Sequence, residues 1–202
     1  MFKKILYYLP LILFIASCAT HSSWMKDSSR YIDNKTIGEL SIPGTHLANA
    51  HKITGNESLC IGESINSDNM SANALIRQNI VNSGHYNQES FIKYLNTQKE
   101  DITAQLNDGV RYLELQVCKQ NNTFYTSNVY LTESLSNIMT QIDDFANSHV
   151  NEIVIIDLDN NLWAESGPMD IQDATLLYNS IIGIIGHSFI PKSMRYNTIS
   201  QL

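Results

Sequence analysis

The sequence predicts an α/β fold, a TIM-barrel-like (β/α) arrangement of which the chain holds about the first half. Stretches with strand alternation and stretches with helical spacing follow one another from residue 37 onward. The run from Glu152 to Asp159 is apolar at almost every position before Asp157, which is typical of a parallel strand covered by helices. Four strands can be counted in the 202 residues, whereas a closed barrel of eight strands takes about 250 residues.

The first strand is predicted over Ile37–Ile42 and ends at a Pro-Gly pair. Pro43 and Gly44 cannot continue a helix, and Pro43 would remove a hydrogen bond from a central ladder, so the chain must turn there. His46 follows at the tip of this strand, where loops commonly carry functional side chains. We therefore take His46 as a candidate catalytic residue.

The segment 48–96 is rich in Asn, Ser and Gly and shows no sustained period. It predicts a polar insertion, either a long loop over the fold or a mobile segment. Thr97 and Glu100 then form a T-x-x-E pattern typical of a capping box, and Gly109 supplies a stop signal. These signals predict a helix over about 98–108.

The second half of the chain continues the alternation of strands and helices. Its β-branched and aromatic residues predict strands over Val110–Val117 and Thr123–Leu131. Helical spacing of apolar residues predicts a core-facing helix over 133–148 and a second apolar helix over about 170–185. Pro191 opens the last segment.

The charge of the chain excludes one class of partner. The formal net charge is -7, and the 13 Lys and Arg residues are scattered along the sequence. A nucleic-acid partner would require clustered positive charge to meet its phosphates. We therefore expect no nucleic-acid binding.

The N-terminus has the layout of a secretory signal. Lys3 and Lys4 precede an apolar run over Ile5–Ile15, and small residues lead to Cys18. The apolar run is too short for a comfortable membrane span. The sequence Ile-Ala-Ser-Cys at 15–18 resembles a bacterial lipobox, in which the cysteine is lipidated and becomes the first residue of the mature protein. The alternative is a plain signal peptide with an incidental cysteine.

These signals divide the chain into a signal peptide over 1–17, a polar tether over 18–35 and a domain over 36–202. The predicted location is the bacterial cell envelope, with a lipid anchor in the outer membrane or facing the periplasm, or the secreted fraction. Export would place Cys60 and Cys118 in an oxidising compartment, where the two could form a disulfide. The sequence leaves open whether they lie close enough to pair.

Several motifs together resemble one known family. They are SSWM, ELSIPGTH, QKEDITAQLNDGVRYLELQV, FYTSN followed by ESLSNIM, and NEIVIIDLD. The combination resembles the X region of phosphatidylinositol-specific phospholipases C, particularly the bacterial forms, over about 22–160 apart from the insertion. A fainter resemblance continues through PKSMRYNTISQL. The resemblance implies a barrel fold and the cleavage of a phosphodiester in an inositol phospholipid.

The family chemistry implied by this resemblance uses two histidines at the top of the barrel. A general base takes the proton of the inositol 2-hydroxyl, which attacks phosphorus and gives a cyclic inositol phosphate. A general acid then protonates the departing diacylglycerol oxygen, and a cation offsets the charge on the phosphoryl oxygens. His46 matches the base by its place in IPGTH; the alternative is a structural role of His46 in the turn.

Other positions of the family site are replaced in this chain. Asn128 stands in place of the second histidine, and Gln116 stands in place of the phosphate-binding arginine. An asparagine has no proton to give near neutral pH. Glu114 keeps a carboxylate, while Leu47 stands where Asp or Asn is usual. The resemblance therefore implies an impaired site.

A bound calcium ion is the alternative to the missing arginine as a source of positive charge at the phosphoryl oxygens. We nevertheless expect no cofactor. Glu114 and Asp159 match two of the four ligand positions of calcium-dependent members. Leu47 cannot bind a metal, and Gln116 offers only a carbonyl oxygen, whereas calcium takes about six to eight oxygen ligands. Hydrogen bonding at strand ends is the alternative role of Glu114 and Asp159.

Other histidines of the chain are alternative candidates for the role of the missing acid. His51 and His85 lie in the polar insertion and could replace it, although exposed loop histidines are usually only solvated. His149 follows the 133–148 helix at the bottom of the expected barrel, where it would act as a helix C-terminal cation. His187 lies in a late loop.

Three functions follow as hypotheses. The first is an envelope-anchored phosphodiesterase that acts on an inositol phospholipid or a related phosphodiester. The second is a lipoprotein without turnover that binds a phosphorylated head group or a protein. The third is a truncated gene product, because half a barrel leaves a long apolar edge strand uncovered.

Overall fold

The computed structural model of the protein describes residues 21–60, 88–158 and 162–202. The helices are α1 (Trp24–Asp27), α2 (Ser29–Ile32), α3 (Gln88–Leu95), α4 (Ile102–Asn107), α5 (Leu135–Ser148) and α6 (Ile171–Ile185). The strands are β1 (Gly44–Thr45), β2 (Tyr112–Leu115), β3 (Val117–Gln120), β4 (Thr123–Asn128), β5 (Tyr130–Ser134), β6 (Ile155–Leu158), β7 (Trp163–Ala164) and β8 (Gly167–Pro168).

A parallel sheet of β1, β2 and β6, in that order, forms the centre of the fold. Leu113 and Leu115 of β2 are fully buried on one face, where they join α4, α5 and α6 in the main hydrophobic core. Tyr112 and Glu114 alternate with them on the opposite, half-buried face. The sequence pattern of β2 thus separates a packing face from a face that is free to carry polar side chains.

A second sheet has the order β5, β4, β3, β7, β8 and is mostly antiparallel. The single strand predicted over Thr123–Leu131 is wrong, because the chain turns back at Val129, whose φ is 67°. This turn produces the β4–β5 hairpin. As a result the segment does not lie between β2 and β6, which pair directly with each other.

The strand predicted over Ile37–Ile42 is also wrong. Residues Ile37–Glu39 form a 3-10 turn, and β1 begins only after the proline. The reason is a capping box: the backbone nitrogen of Thr36 donates to Oε2 of Glu39 at 2.8 Å, and Oγ1 of Thr36 donates to the same oxygen at 3.0 Å.

The helix predicted over about 98–108 is confirmed in its position but begins later, at α4. Its N-cap is Asp101, whose Oδ1 accepts a hydrogen bond from the backbone nitrogen of Ala104 at 2.9 Å. The predicted cap at Thr97 is wrong, because Oγ1 of Thr97 binds the loop after β1 instead. Gly109 ends the helix with φ +99°, as predicted.

The tether predicted over 18–35 is wrong for the residues that the structure describes. α1 and α2 pack on the domain, and Met25 is only 1% exposed. Nε1 of Trp24 donates to the backbone oxygen of Gly109 at 2.9 Å. Apolar Trp24 and Met25 in an otherwise polar segment were the signal for this packing.

The described parts of the predicted insertion 48–96 are packed as well. Ile53 and Leu95 are buried together with Leu47 and Ala50 in a separate small cluster. Nδ2 of Asn96 donates to the backbone oxygen of Ile53 at 2.8 Å, which ties the two ends of this segment together. The segment therefore begins and ends on the fold, and residues 61–87 lie outside the described part.

The two long helices follow the sequence pattern closely. The predicted helix 133–148 is α5, and the predicted helix 170–185 is α6. The apolar run 152–159 gives β6, with β2 paired on one side.

Within the described ranges, no helix combines the length and the apolar character that crossing a membrane would require.

Candidate active site

His46 and Glu114 meet at the C-terminal end of the parallel sheet. β1 pairs with β2 so that Thr45 lies opposite Leu113, which places His46 beside the next residue of β2. Nδ1 of His46 lies 2.7 Å from Oε2 of Glu114. The His46 side chain is 69% exposed and that of Glu114 is 22% exposed, so solvent and a ligand can reach the imidazole.

Backbone hydrogen bonds hold the loop that carries His46. The backbone nitrogen of Ala48 donates to the backbone oxygen of Glu114 at 2.8 Å. Nε2 of Gln98 donates to the backbone oxygen of His46, also at 2.8 Å. Nε2 of Gln105, a buried residue of α4, donates to the backbone oxygen of Ala48. The loop is thus fixed from both the strand and the helix side.

Tyr112 and Asp157 extend the polar face beside Glu114. Asp157 of β6 is the register partner of Glu114 on β2. The Tyr112 hydroxyl donates a hydrogen bond to Oδ2 of Asp157. This bond, with partial burial and the negative charges of Asp157 and Glu114, raises the pKa of Tyr112 to about 12.

Sequence reasoning missed these two residues as part of the site. The signal was present in both strands: alternation in VRYLELQV puts Tyr112 and Glu114 on one face. Asp157 is a charged residue inside an otherwise apolar strand. The pairing of Glu114 with Asp157, and not Asp159, follows from the register of β2 against β6, which is not visible in the sequence.

Asn128 and Gln116 are buried rather than displayed at the surface. Asn128 is 2% exposed, and its Nδ2 donates to the backbone oxygen of Leu95 at 2.8 Å. Gln116 is 6% exposed, and its backbone oxygen accepts from the nitrogen of Ser127 at 3.0 Å. Both positions hold the β4 strand against neighbouring segments.

The other histidines have separate surroundings. His51 is buried, with Nε2 3.5 Å from Oε1 of Glu133. His149 caps the C-terminal end of α5, stacks on Phe145 and places Nδ1 3.1 Å from the Phe145 backbone oxygen. Nε2 of His187 lies 3.3 Å from Oδ1 of Asp143. His85 lies outside the described residues.

The described ranges contain no group of three or more His, Cys, Asp or Glu residues arranged to hold a metal ion. Glu114 is engaged by His46, and Asp157 by Tyr112. Asp159, the second predicted ligand, lies outside the described residues. A calcium site on Glu114 and Asp159 stays a prediction.

A disulfide joins Cys60 to Cys118 of β3, with a Cα–Cα distance of 6.0 Å. The same segment pairs with the β4–β5 hairpin: the backbone nitrogen of Cys60 donates to the oxygen of Val129 at 2.9 Å, and that of Leu131 donates to the oxygen of Ser58 at 2.8 Å. The loop that starts at His46 is therefore fixed at its far end as well.

Comparison with known proteins connects this chain to one family. The family profile described as PI-PLC X matches residues 79–193, a range that contains Glu114, Gln116 and Asn128. A PI-PLC X-box domain-containing protein of Dictyostelium discoideum is 23% identical over 173 residues, covering 84% of this chain and 20% of the relative. The variant-surface-glycoprotein phospholipase C of Trypanosoma brucei brucei is 28% identical over 142 residues, covering 67% of this chain and 38% of the relative.

Solved structures confirm the predicted TIM-barrel-like fold. A phosphatidylinositol-specific phospholipase C of Staphylococcus aureus aligns with a TM-score of 0.58 and 15% identity, over 90% of this chain and 50% of its own. The enzyme of Listeria monocytogenes aligns with a TM-score of 0.53 and 20% identity, over 90% of this chain and 53% of its own. The chain thus spans about half the length of these two structures.

Proposed function

The chain belongs to the PI-PLC X domain family, and we propose on this premise that it is a phosphatidylinositol-specific phospholipase C-like phosphodiesterase domain with an impaired site. Its ligand is the head group of an inositol phospholipid or a related phosphodiester. The observation that carries the proposal is the contact between His46 and Glu114 at the C-terminal end of the parallel sheet.

The geometry suits His46 for the role of general base. A carboxylate can only accept, so Nδ1 of neutral His46 carries the proton that is donated to Glu114. Nε2 then has a lone pair for the proton of an attacking hydroxyl. A new P–O bond forms to that hydroxyl oxygen while the bond to the leaving alkoxide breaks. Such a base contributes about 10²–10⁴-fold to the rate.

The second half of the reaction lacks its usual groups. The leaving oxygen needs a proton, and Asn128 has none to give near neutral pH. Gln116 brings no positive charge to the phosphoryl oxygens. Each loss is expected to cost on the order of 10²–10³-fold in rate, so slow turnover is the expectation.

A binding function without turnover is the second candidate, and the state of Asn128 favours it. Asn128 is 2% exposed and donates to the backbone oxygen of Leu95. An asparagine side chain that forms this hydrogen bond stabilises the packing of β4 and does not contact a leaving group. The protein would then hold a head group at His46 and Glu114 without cleaving it.

We propose further that Cys18 is lipidated and holds the protein at the bacterial envelope. The lipobox-like sequence at 15–18 supports this anchoring. The Cys60–Cys118 disulfide supports export, because disulfides persist mainly in oxidising compartments. The head group and the membrane are then the partners of the protein.

The experiment that tests the function uses the folded chain from Cys18 without its lipid. It is incubated with phosphatidylinositol, with and without calcium, and phosphorus NMR detects a cyclic inositol phosphate. Product that disappears in His46→Ala supports the phosphodiesterase. If a folded chain gives no product but still binds inositol phosphate, with weaker binding in His46→Ala, the binding function replaces it. Calcium-dependent product would favour the cation route.

A further inference from the structure

The two ends of the parallel sheet carry different parts of the chain. We call the end at which β2 and β6 begin the lower face, and the end at which they finish the upper face. His46 and Glu114 lie at the upper face, because His46 follows β1 and Glu114 is near the end of β2. Arg111 and Glu152 lie at the lower face, ahead of β2 and β6.

The N-terminal segment is fixed to the lower face by buried contacts. Nη2 of Arg111 donates to the backbone oxygen of Ser22, and Nε donates to Glu152 Oε2 at 2.8 Å. The carboxylate of Glu152 in turn accepts from the backbone nitrogens of Met25 and Lys26. The side chains of Arg111 and Glu152 are fully buried, so this attachment is part of the fold.

The attachment leaves a very short connection to the lipidation position. Residues 18–20 alone separate a lipid on Cys18 from His21, where the described chain begins. Three residues reach about 10 Å when fully extended. A domain of about 180 residues, the length of 21–202, has a radius of gyration of about 16 Å. Such a spacer is too short to let the domain turn its upper face to the bilayer.

We propose that the anchored protein points its candidate active site away from the membrane that holds it, and that its substrate is an inositol phosphodiester presented from outside that leaflet. This proposal rests on the anchoring in the proposed function. The substrate is then a water-soluble inositol phosphodiester or a head group on an opposing membrane. Lipids of the anchoring leaflet are excluded by geometry.

The first test measures orientation without any need for activity. The full chain is produced in bacteria, recovered in lipidated form and placed in phosphatidylglycerol–phosphatidylcholine vesicles. A fluorophore is attached to Asp27→Cys at the lower face or to Lys99→Cys beside the His46 loop, both exposed positions. A lipid with a nitroxide on its head group quenches a nearby fluorophore. We expect several-fold stronger quenching for Asp27→Cys than for Lys99→Cys.

The outcomes separate this inference from the anchoring itself. Equal quenching at the two positions, or stronger quenching at Lys99→Cys, overturns the orientation while the anchor stands. A chain that carries no lipid and does not bind the vesicles overturns the anchor, and the orientation with it. The phosphodiesterase proposal depends on neither result, because it is tested with the unanchored chain.

A second test compares three ways of presenting an inositol phosphodiester to the anchored protein. Anchored protein is given phosphatidylinositol in its own vesicles, phosphatidylinositol in separate vesicles, or a water-soluble inositol phosphodiester. We expect binding, and any product, from the second and third sources to exceed those from the first several-fold, and unanchored protein to lose this preference. Cleavage or binding that is greatest within the anchoring vesicle would overturn the proposal.

Discussion

Nδ1 of His46 lies 2.7 Å from Oε2 of Glu114, although 68 positions separate the two residues in the sequence. The contact depends on the parallel pairing of β1 with β2 and on the turn that follows β1. It gives an exposed imidazole a defined partner for one ring nitrogen, and among the described residues the other nitrogen, Nε2, has no partner. This asymmetry can be measured whether or not the protein turns over a substrate.

The first prediction concerns the tautomer of His46. Glu114 accepts a hydrogen bond from Nδ1, so neutral His46 should carry its proton on Nδ1, whereas a histidine side chain without such a partner favours Nε2. Nitrogen-15 NMR of the imidazole should show this form, and Glu114→Ala should shift the equilibrium towards Nε2. Glu133→Ala, which removes the partner of His51, is the control and should leave His46 unchanged. An unchanged His46 spectrum in Glu114→Ala would contradict the contact.

The second prediction concerns the titration of Tyr112. The hydrogen bond to Asp157 raises the pKa of the phenol from 10.0 to about 12. The neutral phenol is favoured in the folded state, so the stabilisation is present below pH 10 and is lost as the pH rises towards 12. In an ultraviolet titration, the tyrosine ionisation step at the highest pH should be missing from the Tyr112→Phe variant. Asp157→Asn should move that phenol towards pH 10, and a control change at the exposed Tyr94→Phe should not.

The third prediction concerns the disulfide. Cys60 and Cys118 close a loop with a sequence separation of 58, and loop-closure entropy then stabilises the fold by about 4 kcal/mol. Reduction should lower the free energy of unfolding by about this amount in denaturant melts. The variant with Cys60→Ser and Cys118→Ser should show the same loss and no further change with reductant. A stability that does not respond to reductant would contradict a formed bond.

The fourth prediction concerns Asn128, the position of the missing histidine. Asn128→His should not restore a catalytic acid, because the site is buried and Nδ2 already binds the Leu95 backbone oxygen. Losing that bond should cost about 1–3 kcal/mol of stability. The exposed Asn147→His is the control for the histidine itself. A stable Asn128→His protein with faster formation of cyclic phosphate would show that the position faces the substrate.

Sequence reasoning worked best where one local signal decides the structure. The long apolar stripes of α5 and α6 and the stop at Gly109 needed no tertiary information. Three T-x-x-E patterns occur in this chain, at Thr36, Thr54 and Thr97, and only the first caps a helical turn. The choice depends on tertiary contacts, because the Thr97 hydroxyl binds the backbone oxygen of Leu47.

In the candidate site, too, the residues with a local sequence signal were predicted, whereas the contacts that depend on tertiary structure were not. His46 was found from the Pro-Gly turn before it, and Glu114 from its family motif. The pairing of Glu114 with Asp157 needs the register of β2 against β6, which a sequence does not state. The hairpin at Val129 could not be foreseen either, because a β-branched residue rarely adopts a positive φ.

The last prediction concerns the buried pair that fixes the N-terminal segment. Arg111 and Glu152 are fully buried and bind each other at 2.8 Å, and removing one partner of such a pair costs about 3–5 kcal/mol. Glu152→Gln should therefore unfold at lower denaturant, and limited proteolysis should cut α1 and α2 before the rest of the domain. Arg195→Met, which removes an exposed arginine, is the control and should leave both readouts unchanged. Because Glu152 also accepts hydrogen bonds from the backbone nitrogens of Met25 and Lys26, early cutting would show that this pair holds the segment at the lower face.

Cutting that is no faster than in the unsubstituted protein would contradict this role of the pair. It would mean that Trp24 and apolar packing are enough to hold the segment. The orientation of the anchored protein would then not depend on the ion pair.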